Sequence, residues 1–356
     1  MDFSSDAMFW PRFILTLIAF VFFIVVYRLI LRVFKNIGVK GKQMDRSNRW
    51  GASSKSTAGG LGFMLAFLVG WLGKDFPHFH FQPSDWMLLA GGAVAFSTGL
   101  WDDLRRLSPL PKMLGQLIAG ILLVASGLDP VCDQPILNAL IQLVLIVGMM
   151  NSINMLDNMD GVATIAALAV CVWFIGSTDA LPAIVMSGCL FAFLIYNRHP
   201  SVMFMGDSGS LLLGYVMATF FLRNGVPDEA VFAGFYPSTL ILVLALFALP
   251  LADSLVVFIN RISHGISPMR GGRDHTTHNL VYAGFSEQSV TVLFILIAAA
   301  EVGAAGWFSH FRQEDPSVHL TWLMVLPTLV LFGMLFLVLW ILSRYNLRRG
   351  KYSYSK

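Results

Sequence analysis

Four short polar runs interrupt an otherwise apolar chain, and each has the residue types of phosphate or metal chemistry. The first is Trp101-Asp102-Asp103-Leu104-Arg105-Arg106. Adjacent carboxylates repel, so they call for a cation or a shared proton. They suit a Mg²⁺-linked pair or a general base, or else a solvated helix end balanced by Arg105 and Arg106. The second is Asn151-Ser152-Ile153-Asn154-Met155-Leu156-Asp157-Asn158-Met159-Asp160-Gly161. Asn151, Asn154 and Asp157 step by three and share one face of a helix, while Asp160-Gly161 suits a turn at its mouth. The plainer alternative is a hydrated loop of turn formers. The third is Phe204-Met205-Gly206-Asp207-Ser208-Gly209-Ser210. Its glycines allow close backbone approach, Ser208 and Ser210 can donate to phosphate or cap a helix, and Asp207 is a hard oxygen ligand for Mg²⁺. An ordinary cap between two helices would look much the same. The fourth is Arg270-Gly271-Gly272-Arg273-Asp274-His275-Thr276-Thr277-His278-Asn279. Its Arg and His residues can hold a diphosphate by charge-assisted hydrogen bonds, or a basic loop could simply meet lipid head groups. No cysteine lies near His275 and His278 to complete a zinc site.

Weaker candidates surround these. Lys55, before Ser56-Thr57-Ala58-Gly59-Gly60, can reach a phosphate or base, or only mark the positive side of a membrane. Asp253 lies in an apolar run, where it could support the site or pair with Arg261. His78, His80, His199, His264, His310 and His319 have no partner visible in sequence and are expected at interfaces or in solvent. Cys132, Cys171 and Cys189 have no metal-like spacing and are expected as small core residues.

The elements that must position these motifs follow from composition. Of 356 residues, 56% are hydrophobic and 13% charged, against about 25% charged in soluble domains. Such a chain requires a bilayer as its solvent. We read eleven apolar segments, 10–34, 59–72, 86–101, 113–126, 136–150, 162–176, 181–196, 211–222, 237–259, 290–308 and 320–342. Several fall short of the ~17–25 residues of a full span and must extend into the neighbouring motifs. The expected architecture is an all-α polytopic membrane bundle, with residues 1–356 one integral-membrane domain and 344–356 a basic cytoplasmic tail. The first residues hold Asp2 and Asp6 and no basic stretch, which is unlike a cleavable signal peptide.

Charge sets the orientation. Lys35, Lys40, Lys42, Arg46, Arg49, Lys55, Arg105, Arg106, Lys112, Arg198, Arg261, Arg270, Arg273 and the tail fall on one side. Only Arg12, Lys74, Arg223 and Arg312 fall on the other. The basic side should be cytoplasmic, with the N-terminus outside and the C-terminus inside. The motifs follow segments three, five, seven and nine, so this topology brings all four to the cytoplasmic face. Ion sites of transporters usually lie near the bilayer midplane. The placement of these acids at segment ends therefore disfavours an ion-coupled transporter, and a scaffold would not need them. Nothing in the charge pattern calls for nucleic acid.

The motifs, in this order and loop placement from about Lys55 to His278, resemble the polyprenyl-phosphate N-acetylhexosamine-1-phosphate transferases, a family of WecA-like enzymes related to MraY-type enzymes. The resemblance implies transfer of a sugar-1-phosphate from UDP-N-acetylhexosamine to a polyprenyl phosphate such as undecaprenyl phosphate, with release of UMP, at a bacterial plasma membrane. Mg²⁺ is the implied cofactor, with Mn²⁺ as a substitute. Asp207 is similar to the family's Mg²⁺-binding aspartate, and Asp102 and Asp103 to its acidic pair, so all three are implied metal and catalytic residues. Phe204 sits where the family stacks uracil. Asn154, Asp157 and Asp160 resemble the family's nucleotide-facing polar set, and Asn151, Ser208, Arg273 and Lys55 join them from the motif reading as the expected substrate-binding residues. His275 and His278 fall at the histidine loop that meets the sugar phosphate. Three departures matter. The His-Thr-Thr-His loop replaces a run of three histidines, which points from a UDP-MurNAc-pentapeptide donor toward UDP-GlcNAc or a UDP-6-deoxy-HexNAc. Asn158 replaces a glycine of the usual pattern, and the proline-containing segment expected before Gly59-Gly60 is absent. A homodimer stays open as the assembly.

Overall fold

The computed structural model describes residues 6–34, 55–74, 76–78, 80–224, 237–267, 272–314 and 322–352. The basic residues between Lys35 and Arg49, and Arg270, lie outside the described residues. The described residues form thirteen helices: α1 (Asp6–Val33), α2 (Gly59–Gly73), α3 (Pro83–Arg105), α4 (Pro109–Ala125), α5 (Pro135–Leu156), α6 (Val162–Phe174), α7 (Leu181–Asn197), α8 (Gly206–Arg223), α9 (Pro237–Leu246), α10 (Ala248–Ser263), α11 (Thr276–Tyr282), α12 (Glu287–Glu314) and α13 (Trp322–Arg348). Proline stands in the first turn of α3, α4, α5 and α7, where its missing N–H leaves no broken bond.

Each of the eleven apolar segments overlaps at least one helix, with 320–321 outside the described residues. The segment 237–259 is split at Phe247 into α9 and α10, bent by 84°. By length and composition, α1, α5, α12 and α13 contain stretches able to cross a membrane, and the bent α9–α10 pair makes a fifth. The helices α2, α4, α6 and α7 are apolar but only 13–17 residues long. Segments three and eight gain their helical length from polar ends: α3 runs through Asp102-Asp103 to Arg105, and α8 starts at Gly206-Asp207. Polar motif and apolar stem thus share a helix, which holds the motif rigidly.

The centre of the bundle is α8. Every residue from Ser208 to Leu222 is buried, as expected for a helix apolar all round. It packs against α2, α3 and α5, while α7 packs against α1, α2 and α6. The close fit of α3 on α8 rests on Gly99, where a Cβ would overlap the Asp207 carbonyl and the Ser208 Cα. We predict that Gly99→Ala destabilises the protein by about 1–3 kcal/mol, because backbone cannot yield as a side chain does. Thermal unfolding in detergent checks this.

Candidate functional site: an acid–lysine centre at the head of α8

The chain enters α8 through Gly206, at φ +72°. A Cβ there would press on both carboxylate oxygens of Asp103 and on the Thr57 carbonyl. The space is taken because Asp103 caps the helix. Its Oδ1 accepts from the Asp207 N–H at 3.0 Å, and its Oδ2 accepts from the Ser208 N–H at 3.0 Å and hydroxyl at 2.9 Å. A carboxylate at a helix N-terminus satisfies orphan donors and complements the helix dipole.

Asp102 faces elsewhere. Its Oδ1 accepts from the Leu107 N–H at 2.6 Å, and its Oδ2 accepts from the Lys112 ammonium at 2.8 Å. The same ammonium lies 3.6 Å from Asp207 Oδ1. Asp102 and Asp207 are themselves within hydrogen-bond reach of each other. Burial, then the neighbouring Asp207, push the Asp102 carboxyl above its ordinary range, against the pull of Lys112. Burial works against the Lys112 charge, but Asp207, Asp102 and Asp103 outweigh it and hold the ammonium above its usual pKa. The adjacent acids that look like a pair in sequence are therefore separate in role: one organises the α8 backbone, the other shares a lysine with Asp207.

The polar face of α5 adds Asn154. Oriented to suit its neighbours, its amide donates to Asp207 Oδ1 at 2.8 Å and Ser210 Oγ at 2.8 Å, and accepts from Lys112 at 3.3 Å. Asn151, one turn earlier, is turned to Gln116 of α4; its amide donates to Gln116 Oε1 at 2.6 Å. Asp157 ends α5 and is buried.

A second group lies beside this centre. The stretch around Ser56 pairs with Met203, and the Phe204 N–H donates to the Ser56 carbonyl at 2.9 Å. This pairing sets Lys55 over the Phe204 ring, 5.1 Å from its centroid, a cation–π distance. Lys55 donates to Ser201 Oγ at 3.0 Å, and Ser201 donates through N–H and hydroxyl to both oxygens of Asp160 at 2.9 and 2.8 Å. His199 was expected at an interface or in solvent. Its Nδ1 instead lies 3.5 Å from Asp160 Oδ2 and 3.0 Å from Glu287 Oε2. These three side chains form the one His–carboxylate group of metal-like spacing among the described residues.

The histidine loop is fixed from below. Arg261 grips Asp274 with two bonds of 2.8 and 2.7 Å. Burial opposes the Asp274 charge, yet the Arg261 bonds, with His275, hold its carboxyl below the usual range. Arg261 is thus committed to Asp274, and Asp253 takes the loop instead: its Oδ1 accepts from the Thr276 N–H at 2.6 Å, and its Oδ2 lies 3.1 Å from His275 Nδ1. Asn346 of α13 donates to the Asn279 carbonyl at 2.9 Å. The Thr277 hydroxyl donates to Asn158, which ties this loop to the end of α5. Arg273 is half-buried beside it.

His278 is fully buried, and burial, then the neighbouring His275, lower its pKa to about 3 from the model-peptide 6.5. The folded protein therefore binds His278 neutral. As pH falls below about 6.5 the unfolded chain takes up a proton that the folded chain refuses, and stability is lost progressively toward pH 3. We predict that Tm falls over this window and that His278→Gln reduces the slope; thermal melts from pH 7 to 4 check it.

Lys112 is the main site residue that motif reading passed over. In sequence it is one of many positive-side lysines. Its signal is position, in the first turn of a proline-started helix that follows the acidic pair by one short turn.

Comparison with known proteins fits this arrangement. The glycosyl transferase family 4 model matches residues 86–224, the stretch that runs from α3 through α8 and carries Asp102, Lys112, Asn154, Asp160 and Asp207. Over this stretch the chain is similar to glycosyl transferase family 4. It is 31% identical over 254 residues to a decaprenyl-phosphate N-acetylglucosaminephosphotransferase of Mycobacterium leprae, covering 61% of this chain and 63% of that one. It is 26% identical to a probable undecaprenyl-phosphate N-acetylglucosaminyl 1-phosphate transferase of Bacillus subtilis, over 80% and 83% of the two chains. An undecaprenyl-phosphate alpha-N-acetylglucosaminyl 1-phosphate transferase of Escherichia coli O157:H7 is 30% identical over 53% and 50%. The chain thus spans about 63% of the mycobacterial relative it matches. The histidine loop lies beyond the stretch matched by the family 4 model.

Proposed function

We propose that this chain is a glycosyl transferase family 4 enzyme, a phospho-N-acetylhexosamine transferase: it moves N-acetylglucosamine-1-phosphate from UDP-N-acetylglucosamine to a polyprenyl phosphate and releases UMP. The observation that carries the reading is the Lys112 ammonium held between Asp102 and Asp207 at the head of a buried helix. Phosphoryl transfer asks a protein chiefly for positioning and charge neutralisation, and this centre offers both. The names of the relatives supply the sugar and the class of acceptor.

The oxygen donors of Asp207 and Asp102 fit a hard divalent cation, since both are carboxylates and they face each other at hydrogen-bond range. Mg²⁺, or Mn²⁺ in its place, would be held there by these two acids and would neutralise the donor diphosphate. The chain's own residues do the rest. Lys112 balances negative charge where donor and acceptor phosphates meet. Phe204 and Lys55 form a platform suited to a uracil ring, with Asp160 holding Lys55 and Ser201 in place. Asp102 orients the acceptor phosphate or takes its proton. A phosphate monoester has a second pKa near ~6, so little base strength is required. An acceptor oxygen forms a bond to the β-phosphorus of the donor; the bond from that phosphorus to the UMP oxygen breaks, and its electron pair leaves with UMP. Asp103 takes no part in the exchange and positions Asp207 and Ser208. His275, with Arg273, would meet the sugar-phosphate side, while the buried His278 supports the loop from beneath His275.

The charge distribution supports a multi-pass protein of a bacterial plasma membrane, with all eleven apolar segments as spans, the N-terminus outside and the site cytoplasmic. Purified protein with Mg²⁺ and undecaprenyl phosphate tests the reading. UMP should appear with UDP-GlcNAc and only when the lipid phosphate is present. A panel including UDP-GalNAc, a UDP-6-deoxy-HexNAc and UDP-MurNAc-pentapeptide ranks the donors, and no UMP from any of them would overturn the proposal.

A further inference from the structure

One acidic side chain lies outside the groups described above, in the middle of α12. Glu301 is fully buried, halfway along the apolar stretch Glu287–His310. A carboxyl group at such a depth is expensive and is expected to have a task. Its Oε1 accepts from the Leu249 N–H at 2.7 Å, and its Oε2 has no hydrogen-bond partner among the described residues.

Leu249 stands at the 84° break between α9 and α10. A helix that starts inside a membrane has first-turn N–H groups with no water to bond. Two side chains answer this at the break. Pro250 has no N–H to satisfy, Glu301 takes the Leu249 N–H, and from Leu251, which donates to the Phe247 carbonyl at 3.2 Å, the regular helix ladder takes over. The side-chain cap comes from another helix, so it fixes α10 against α12 and also fixes its rotation. Leu249 and Asp253 are four residues apart, on one face of α10. Asp253 holds His275 and the Thr276 N–H; further along the same helix, Arg261 grips Asp274.

We propose that Glu301 is a positioning residue. It sets the rotation of α10 from within the membrane and, through Asp253, places His275 at the site. The link to catalysis rests on the transferase reading above; the link to the histidine loop does not.

Two readouts on the full chain in nanodiscs separate them. Backbone hydrogen exchange across 275–282 reports the loop directly. Glu301→Met removes the acceptor at similar volume, and Glu301→Asp withdraws it by one methylene; in both, exchange across 275–282 should speed up while exchange in α8 stays as in the parent. Glu301→Gln keeps an acceptor oxygen for Leu249 and should exchange like the parent. In the UMP assay, Met and Asp variants should lose kcat by roughly ten- to a hundredfold with KM for the UDP-sugar unchanged, and Gln should restore it. Should the Met variant not fold, the Asp variant carries the test. Parent-like exchange across 275–282 in a folded Met or Asp variant would overturn the inference, as would a Gln variant as impaired as Met. A parent protein that releases no UMP overturns the transferase reading and leaves the exchange result to decide this one.

Discussion

Lys112→Met should abolish UMP release while the protein still assembles in the membrane. The substitution keeps the length and most of the volume of the side chain, so α3 and α4 remain packed. It removes the single charge held between Asp102 and Asp207. The two carboxylates then face each other without a counter-charge. Asp102, already pushed up by burial and Asp207, takes a proton rather than remain charged. Breaking a buried charge pair from one side costs up to about 3–5 kcal/mol, less when the remaining acid can neutralise itself. The larger effect is on rate, since charge neutralisation is what the proposed reaction asks of this centre. A loss of at least about 10³-fold in kcat is expected. Lys112→Arg should recover little, because the fork of a guanidinium does not fit between two acids spaced for one ammonium. A Lys112→Met protein that turns over within tenfold of the parent would remove Lys112 from the mechanism.

The second large effect is at Asp207, and its contrast with Asp103 is the informative part. Asp207→Asn should lower kcat by at least about 10²–10³-fold with little change in Tm. The reason is that α8 is held through the backbone: Asp103 accepts from the N–H of residues 207 and 208, and an asparagine at 207 keeps both bonds. Asp103→Asn should do the reverse in stability. One of its two acceptor oxygens becomes a donor aimed at other donors, which costs about 1–3 kcal/mol. Activity would fall through displacement of Asp207, not through loss of a ligand. Melting curves and kcat measured on both variants separate the two acids that stand side by side in sequence.

That separation marks the limit of what the sequence makes legible. The apolar segments and the four polar motifs are visible because hydrophobic runs and clustered acids are rare together. Asp102, Asn154 and Asp207 do converge. Side-chain direction is another matter. Asp102 and Asp103 differ by about 100° around a helix, so one meets α4 and the other meets α8. Nothing in the local run says which. Lys112 hides among positive-side lysines, since charge counting treats them alike. His199 has no visible partner because Glu287 is 88 residues away. Glu301 carries no motif at all; its meaning appears only once the bend at Phe247 is in place. A pair such as Arg261 with Asp274, thirteen residues apart, competes in sequence with Arg261 and Asp253, and only the turn into α11 decides between them.

In the proposed reaction the bond broken is the one between the two phosphates of the donor. UDP-N-acetylglucosamine labelled with ³²P at its β-phosphate, mixed with the purified protein, undecaprenyl phosphate and Mg²⁺, tests it in one extraction. The label should pass to the organic phase as a lipid diphosphate, matched mole for mole by unlabelled UMP. Label that stays in the aqueous phase as UDP while sugar enters the lipid would mean transfer of the sugar alone, and would contradict it.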